Sequence, residues 1–140
     1  MADMTREKCI FCAIIADEVA HYRVASSDLL YAFLDAYPIS RGHTLVVPRE
    51  HFSSLETTPE MIIKEMAIFV AQYAPKIARA LGADGFNIGI NNGRAAGQAV
   101  DHAHWHIIPR YEGDGLKSWP NTSTNAEKLS RIAEEIRRKI

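Results

Sequence analysis

The stretch HAHWH at residues 102–106 places three histidines at alternating positions in a chain of 140 residues. A strand is predicted over 103–109, directly after His102. Side chains of a β-strand alternate between its two faces, so extended backbone through 102–106 would carry all three imidazoles on one face. The intervening Ala103 and Trp105 would then face the core. The alternative interpretation, without a functional site, is that the three histidines are exposed polar positions on a half-buried strand. The pattern favours a site built from three imidazoles.

The glycine-bearing loop NNGRAAGQ at 91–98 precedes the histidines and bears on their chemistry. Clustered histidines can bind a metal ion, act as general acids and bases, or attack phosphorus as nucleophiles. Backbone N–H groups at glycines, together with the amides of Asn91 and Gln98, suit phosphate oxygens. The loop therefore favours chemistry at a phosphate over a site that holds only a metal.

Outward from this centre, three further runs are predicted to be strands, at 29–34, 44–47 and 85–90. An apolar period of 3.6 residues predicts a long helix that begins after Thr57 or Thr58 and ends at Gly82. Pro75 is expected to kink that helix or split it near Tyr73. Strands joined by short turns, with helices set apart, predict an α+β fold with an antiparallel sheet.

A second helix is predicted near the end of the chain, where Thr124 and Glu127 form a capping box. Its apolar face would contain Leu129, Ile132, Ala133, Ile136 and Ile140. The basic run at 137–139 is interpreted as favourable charge at a helix C-terminus.

Composition bounds the remaining possibilities. The chain is 47% hydrophobic, and its 16 basic and 17 acidic residues give a net charge of −1. We expect one domain that is not held to nucleic acid by its overall charge. The apolar run at 9–16 is too short to cross a bilayer, and no basic leader precedes it. These features predict a cytoplasmic protein without a membrane segment.

Cys9 and Cys12 are the two cysteines of the chain and form one CxxC motif. A redox CxxC usually opens a helix after a strand, and eight residues leave no room for that strand. Half of a zinc site and simple burial remain open as interpretations.

The segment GQAVDHAHWHIIPR at 97–110 closely resembles the signature of the histidine-triad (HIT) nucleotide-binding proteins. The resemblance extends from Cys9 to Gly115 and is specific to the small branch that carries a CxxC, similar to bacterial Hit and protein kinase C inhibitor-like proteins. It implies a single HIT domain over 1–140, with weaker resemblance in the tail at 116–140. It also implies a sheet of about five strands, one long and one C-terminal helix, and a homodimer joined around 58–81 and 85–90.

The resemblance implies a hydrolase or transferase that acts at the α-phosphate of a purine nucleotide of the AMP or GMP type. The matching nucleophile, which would form a nucleotidyl-histidine intermediate, is His104, flanked by His102 and His106. The positions that match nucleotide contacts are Asp35 for the ribose, Asn91, Gly97, Gln98 and Ala99 for the phosphate oxygens or the leaving group, and Ile10, Phe11, Phe33 and Ala36 for the base. A nucleotide-binding regulatory or scaffold protein with little turnover would keep the same pocket, so this alternative stays open.

Two further implications concern individual residues. Many family members that hydrolyse phosphoramidates carry a serine where this chain has Ala99, which favours dinucleoside polyphosphates or other nucleotide esters. The resemblance also implies a structural zinc held by Cys9, Cys12, His51 and His102. A zinc-dependent interaction module without a nucleotide is a third reading, but it leaves the loop at 91–98 unexplained. The remaining histidines, His21 and His43, are interpreted as surface or packing residues.

Overall fold

The computed structural model of the protein describes residues 8–140, which form one five-stranded antiparallel sheet and three α-helices. The strands are β1 (Arg23–Ser26), β2 (Leu30–Leu34), β3 (Thr44–Pro48), β4 (Gly85–Ile90) and β5 (Trp105–Arg110). The helices are α1 (Ile10–Ile15), α2 (Glu60–Leu81) and α3 (Ala126–Lys139). The strand order is β1-β2-β3-β5-β4, and every neighbouring pair is antiparallel. The predicted α+β class is confirmed.

The sheet has a different partner on each face. On one face α2 packs against β3, β4 and β5, and Met66 and Phe69 of the helix are buried in one core cluster with Val46 and Ile107. On the other face, α1 contributes Phe11 to a second cluster over β2 and β3. This second face is the one that carries the histidines.

Helix α2 runs unbroken from Glu60 to Leu81 through Pro75, so the predicted split near Tyr73 is wrong. Proline removes one hydrogen bond of the helix, but the buried face of α2 continues on both sides of Pro75, and this packing keeps the helix continuous. The kink that was expected as the alternative to a split stays a prediction. The predicted threonine cap is also wrong, because Pro59 is the N-cap and the Thr58 hydroxyl donates to the carbonyl of Ser54. The predicted stop is confirmed, since Gly82 adopts the left-handed conformation with φ 66°.

Strand β5 begins at Trp105, so the prediction that all three histidines lie on one strand is wrong. Only His106 belongs to the strand, and His102 and His104 lie in the segment before it. The N–H of Ala103 donates to the carbonyl of Phe52 instead of to a neighbouring strand, which ends the ladder at this point.

Two elements were not predicted, and one was predicted with the wrong cap. Helix α1 has six residues and β1 has four, and both are too short to show a clear period. Helix α3 is capped by Asn125, whose side chain accepts the N–H of Lys128, and not by Thr124. No helix within residues 8–140 is both long and apolar enough to cross a membrane.

Candidate active site and metal site

The site begins with a buried histidine that precedes strand β3. The backbone N–H of Ile39 donates to Nδ1 of His43 at 3.0 Å, so the hydrogen of the neutral ring lies on Nε2. This Nε2–H donates to Nδ1 of His106 at 2.9 Å. His106 is thereby fixed with its own hydrogen on Nε2. His43 was interpreted as a surface or packing residue; its ring is 2% exposed, so it is packed in the interior, and it also hydrogen bonds to a histidine of the triad.

His106 presents an unsatisfied hydrogen-bond donor. Its Nε2 is buried, and no group among residues 8–140 hydrogen bonds to it. A buried donor without a partner is costly, and such atoms are rare in folded proteins. The atom therefore marks a place where an acceptor from a ligand would be stabilised.

His104 has the opposite tautomer. Its Nδ1 lies 2.6 Å from the carbonyl oxygen of His102, so this nitrogen carries the hydrogen and donates it. Nε2 then keeps its lone pair. The ring centroid is 5.1 Å from that of His106, and Phe11 contacts the ring edge-on at 5.2 Å. The arrangement sets a nucleophilic nitrogen beside a hydrogen-bond donor.

Burial favours the neutral form of His43 and His106. Desolvation, with smaller contributions from His104 and His43, lowers the pKa of His106 to about 4, although Asp35 opposes the shift. Burial also lowers the pKa of His43, against the raising effect of Asp35. Both rings are therefore uncharged at pH 7 in the free protein.

A second group of side chains that includes the neighbouring His102 contains Cys9, Cys12, His51 and His102. Nε2 of His102 lies 2.8 Å from the carbonyl of Pro48 and carries the hydrogen, so Nδ1 presents its lone pair to the group. Burial is the main cause that lowers the pKa of His102 to about 4, which favours the neutral ring that a metal requires.

The spacing of these four ligand atoms tests whether a zinc ion fits. Zn–S bonds of about 2.3 Å and Zn–N bonds of about 2.0–2.1 Å give tetrahedral S–N edges of about 3.6 Å and an N–N edge of about 3.3 Å. Nδ1 of His102 lies 3.4 Å from Sγ of Cys9 and 3.6 Å from Sγ of Cys12. Nδ1 of His51 lies 3.4 Å from Sγ of Cys12 and 3.2 Å from Nδ1 of His102. The four residues fit a tetrahedral zinc.

Asp35, His43 and His106 form another group with ligand atoms within 4.8 Å of one another. Here the chemistry does not fit a metal. Nδ1 of His43 is occupied by the N–H of Ile39, so the Nε2 that faces the group carries a hydrogen and has no lone pair to give. This group is a hydrogen-bonded network.

A cavity of about 420 Å³ opens beside His104. It collects most of the predicted nucleotide contacts, namely Ile10, Phe11, Phe33, Asp35, Ala36, Gly97, Ala99, His104 and His106. Phe11 and Phe33 are buried and contact each other edge-on, whereas Ile10 is 44% exposed at the rim. Asp35 lies at the cavity with one carboxylate oxygen bound to the N–H of Tyr37. The lining of the cavity thus combines apolar side chains with His104 and His106.

Asn91 and Gln98, two of the residues predicted to contact the phosphate or the leaving group, are not among the residues that line this cavity. The Gln98 amide donates to the carbonyls of Ser53 and Val100 and accepts the N–H of Gly93, so it braces the loop and has no donor left for a ligand. Asn91 lines a second cavity, of about 520 Å³, which meets the first at His106. His106 thus touches both cavities.

The sequence interpretation missed the contribution of His43 and the position of His21. In the pairing of β3 with β5, Leu45 lies opposite His106, so His43, two residues earlier, shares its face of the sheet. The register between β3 and β5 is the signal that could have identified the contact between His43 and His106. His21 lines the cavity beside His104, where its Nε2 accepts the hydroxyl of Tyr31 at 2.6 Å.

The fold and the site define a small α+β protein with a tautomer-fixed histidine cluster and a Cys₂His₂ group on one face of an antiparallel sheet. The model of the HIT domain family matches residues 16–113, and the chain belongs to this family.

Individual relatives agree with this assignment. The chain is 36% identical to adenosine 5'-monophosphoramidase HNT1 of Saccharomyces cerevisiae over 94% of its own length and 82% of the relative's. It is 38% identical to adenylylsulfatase HINT3 of Arabidopsis thaliana over 91% of its own length, and it spans 65% of that protein. A Zn-bound histidine triad family protein from Mycobacterium smegmatis superimposes with a TM-score of 0.69 at 35% identity, covering 93% of this chain and 99% of the other.

Proposed function

We propose that the protein is a nucleotide hydrolase or transferase that acts at the α-phosphate, with His104 as the nucleophile. The observation that carries the proposal is the buried Nε2–H of His106, which has no partner among residues 8–140 and lies beside the lone pair of His104 Nε2. A phosphoryl oxygen would satisfy the first atom while the phosphorus meets the second. The names of the yeast and Arabidopsis relatives support a nucleotide substrate.

Each proposed role follows from the hydrogen bonds of the free protein. The carbonyl of His102 holds the Nδ1 hydrogen of His104 and directs the nucleophilic nitrogen outward. His106 donates to a phosphoryl oxygen and stabilises the charge that develops there. His43 is a positioning residue, because it fixes which nitrogen of His106 carries the hydrogen. Asp35, at the cavity, is suited to accept ribose hydroxyls.

The proposed reaction proceeds in two displacements. Nε2 of His104 attacks the α-phosphorus, the bond to the leaving group breaks, and the leaving group departs with the electron pair. The hydroxyl group of water or of another acceptor then attacks the phosphorus, and the bond to His104 Nε2 breaks and restores the lone pair. The proton that this hydroxyl group loses is taken up by the departed leaving group, through solvent, so the two displacements balance. The second cavity, which His106 and Asn91 line, offers space for the leaving group.

The proposed substrates are nucleoside phosphoramidates, dinucleoside polyphosphates or related nucleotide esters of a purine. Ala99 lies at the cavity and has no hydroxyl that could donate a hydrogen bond or proton to a phosphoramidate nitrogen. We therefore expect Ala99→Ser to raise kcat/KM for an adenylyl phosphoramidate relative to that for a dinucleoside polyphosphate. Unchanged relative values would remove Ala99 from the argument about substrate choice.

We further propose that Cys9, Cys12, His51 and His102 bind one structural zinc. The support is the tetrahedral spacing of their ligand atoms and the Zn-bound relative of known structure. A closed set of two thiolates and two imidazoles supplies folding energy and leaves no position for a substrate. The zinc would fix the ring of His102, whose carbonyl orients His104.

A homodimer is also proposed, joined through β4 and α2. Strand β4 is at the edge of the sheet, and Phe86 and Ile88 on it are 39% and 41% exposed. Ile68 on α2 is 53% exposed. An exposed edge with apolar side chains is a surface that proteins usually cover. Sedimentation of the wild type at twice the mass of the chain is expected, and Phe86→Glu should shift it to monomer.

The experiment that tests the reaction uses purified protein and a panel of adenylyl and guanylyl phosphoramidates, dinucleoside polyphosphates and nucleotide sugars. Rapid quench into an alkaline denaturant, in which a P–N bond is stable, should trap label from a labelled substrate on the wild-type protein and none on His104→Asn. Label on the variant would contradict the choice of nucleophile. A wild type that binds AMP and turns over nothing in the panel would favour the regulatory alternative.

A further inference from the structure

Helix α1 forms a wall that the metal-binding group and the nucleotide cavity share. Cys9 is its N-cap, with Sγ accepting the N–H of Cys12 at 3.4 Å, so both sulfurs of the group lie in its first turn. Ile10, Phe11 and Ile14 of the same helix line the nucleotide cavity. Whatever holds the first turn in place therefore also holds one side of the cavity.

Phe11 is the residue of this helix that contacts both sites. Its ring meets the ring of His102 edge-on at 5.9 Å and that of His104 at 5.2 Å. The Phe11 ring also contacts the ring of Phe33 in the lining of the cavity, with ring centroids 5.4 Å apart, and Phe11 is only 7% exposed. One rigid side chain thus touches a metal-binding residue, the proposed nucleophile and the proposed base site.

A second connection runs through the backbone. The ring of His102 belongs to the metal-binding group, while its carbonyl oxygen accepts the Nδ1 hydrogen of His104 at 2.6 Å. A movement of His102 on loss of the metal would disturb the hydrogen bond that sets the tautomer of His104.

Helix α1 depends on these side-chain contacts because it is weakly attached otherwise. A helix of six residues is not stable by itself. Within residues 8–140, the additional backbone hydrogen bonds of the segment 9–18 join residues of that segment to one another. The contacts that fix α1 on the sheet include the burial of Phe11 and Ile14, the packing of Cys9 and Ile15 against the same cluster, and the four-residue metal-binding group.

We propose that Phe11 is a positioning residue that couples the Cys₂His₂ group to the nucleotide cavity, so that zinc binding raises nucleotide affinity. The inference rests on the proposed function, because it requires both a zinc ion and a nucleotide. Without zinc, α1 must be ordered when the nucleotide binds, and this ordering reduces the affinity. Linkage requires that the nucleotide strengthen zinc binding by the same factor.

The test measures AMP affinity by calorimetry on zinc-loaded protein and on protein stripped with a chelator. We expect zinc to raise the affinity by at least about fivefold, the lower end of typical coupling. Zinc affinity, measured by competition with a chromogenic chelator, should rise by the same factor when AMP is saturating. This reciprocal measurement uses the wild type alone and does not depend on any variant folding.

Phe11→Leu keeps an apolar side chain but removes the ring that contacts both histidines. It should weaken AMP binding with and without zinc and reduce the coupling to less than about twofold. Phe69→Leu is the matched control, because Phe69 is equally buried in the core cluster under α2, away from both sites. It should lower stability while the coupling persists.

The outcomes separate this inference from those on which it rests. A wild type that binds no AMP overturns the proposed function together with the coupling. One that binds no zinc overturns the metal proposal and the coupling. Binding of both ligands with equal AMP affinities in the two states, or full coupling in Phe11→Leu, overturns the role of Phe11 alone.

Discussion

His102 and His104 are two residues apart, and both are buried, yet they present opposite nitrogens. The Nε2–H of His102 donates to the carbonyl of Pro48, so Nδ1 is the atom left for a metal. The Nδ1–H of His104 donates to the carbonyl of His102, so Nε2 is the atom left for a substrate. The same side chain is thus prepared for two kinds of chemistry.

The difference between the two rings lies in the backbone. An imidazole has one donor and one acceptor when it is neutral, and a fixed carbonyl oxygen decides which nitrogen is the donor. The carbonyl of Pro48 belongs to β3, whereas that of His102 belongs to the irregular segment before β5. Had β5 begun at Ala103 as predicted, a ladder partner would have competed for the carbonyl on which His104 depends.

The largest expected effect is that of His104→Asn on turnover. The variant has no ring nitrogen at the position of attack, so kcat should fall by at least about 10⁴-fold. AMP affinity should stay within about tenfold, because the ground state loses only one contact. Steady-state kinetics and calorimetry on the same preparation check both values. Zinc content should remain that of the wild type, because His102 and not His104 belongs to the metal-binding group. Near-normal turnover of the variant would refute the assignment of His104 as the nucleophile.

The double variant Cys9→Ser, Cys12→Ser reverses that pattern. Elemental analysis should find about one zinc per chain in the wild type and none in the variant. Zinc present at about 100 times its Kd would contribute about 2.7 kcal/mol to the free energy of unfolding. The Tm should therefore fall on the order of 10 °C while the fold persists. Full zinc occupancy in the double variant would disprove the proposed ligand set.

A smaller effect is expected from His43, which touches His106 but lies outside the reacting pair. His43→Ala should lower kcat by about 10- to 100-fold, because the hydrogen of His106 would no longer be fixed on Nε2. His43→Gln offers both an amide acceptor for Ile39 N–H and a donor for His106, so it should recover part of the loss. Equal kcat values for the two variants would show that His43 only fills space.

The free energy of unfolding should depend on pH through the titration of His106. The pKa of His106 is about 4 in the folded protein and near 6.5 in the unfolded chain, so the unfolded state binds more protons between these values. The free energy of unfolding is therefore highest above pH 6.5 and falls as the pH drops toward 4. The slope is at most about 1.4 kcal/mol per pH unit for this histidine. Urea unfolding of zinc-free wild type and His106→Gln at pH 7, 6 and 5 should give the shallower dependence in the variant, and identical slopes would contradict the assignment.

The sequence predicted which side chains meet on this face better than it predicted the exact path of the chain. The alternation at 102–106 and the CxxC motif each led to the side chains that meet in the structure, because both patterns are local. The start of β5 was misplaced because the hydrogen bond from Ala103 to Phe52 joins segments that are far apart in sequence. A pattern within the strand carries no information about that partner.

His43 and Gln98 show the same limit for individual residues. Nothing near His43 in sequence indicates that its ring meets His106, since the contact depends on the register between β3 and β5. The amide of Gln98 was expected to hold phosphate, but the carbonyls that it binds belong to Ser53 and Val100. Side-chain type predicted what each group can do, whereas the fold decided which partner it meets.

No lysine or arginine is among the residues of 8–140 that line the cavity beside His104. His106, which also lines it, has a pKa lowered to about 4 and is neutral at pH 7. Attraction between exposed ions is screened by salt, whereas hydrogen bonds from neutral buried donors are not. AMP affinity should accordingly change by less than about threefold between roughly 50 and 500 mM salt. A steep loss would instead reveal a cation at the phosphate, such as Arg94 from the adjoining loop. Ionic strength would thus distinguish recognition of a phosphate by hydrogen bonds from recognition by its charge.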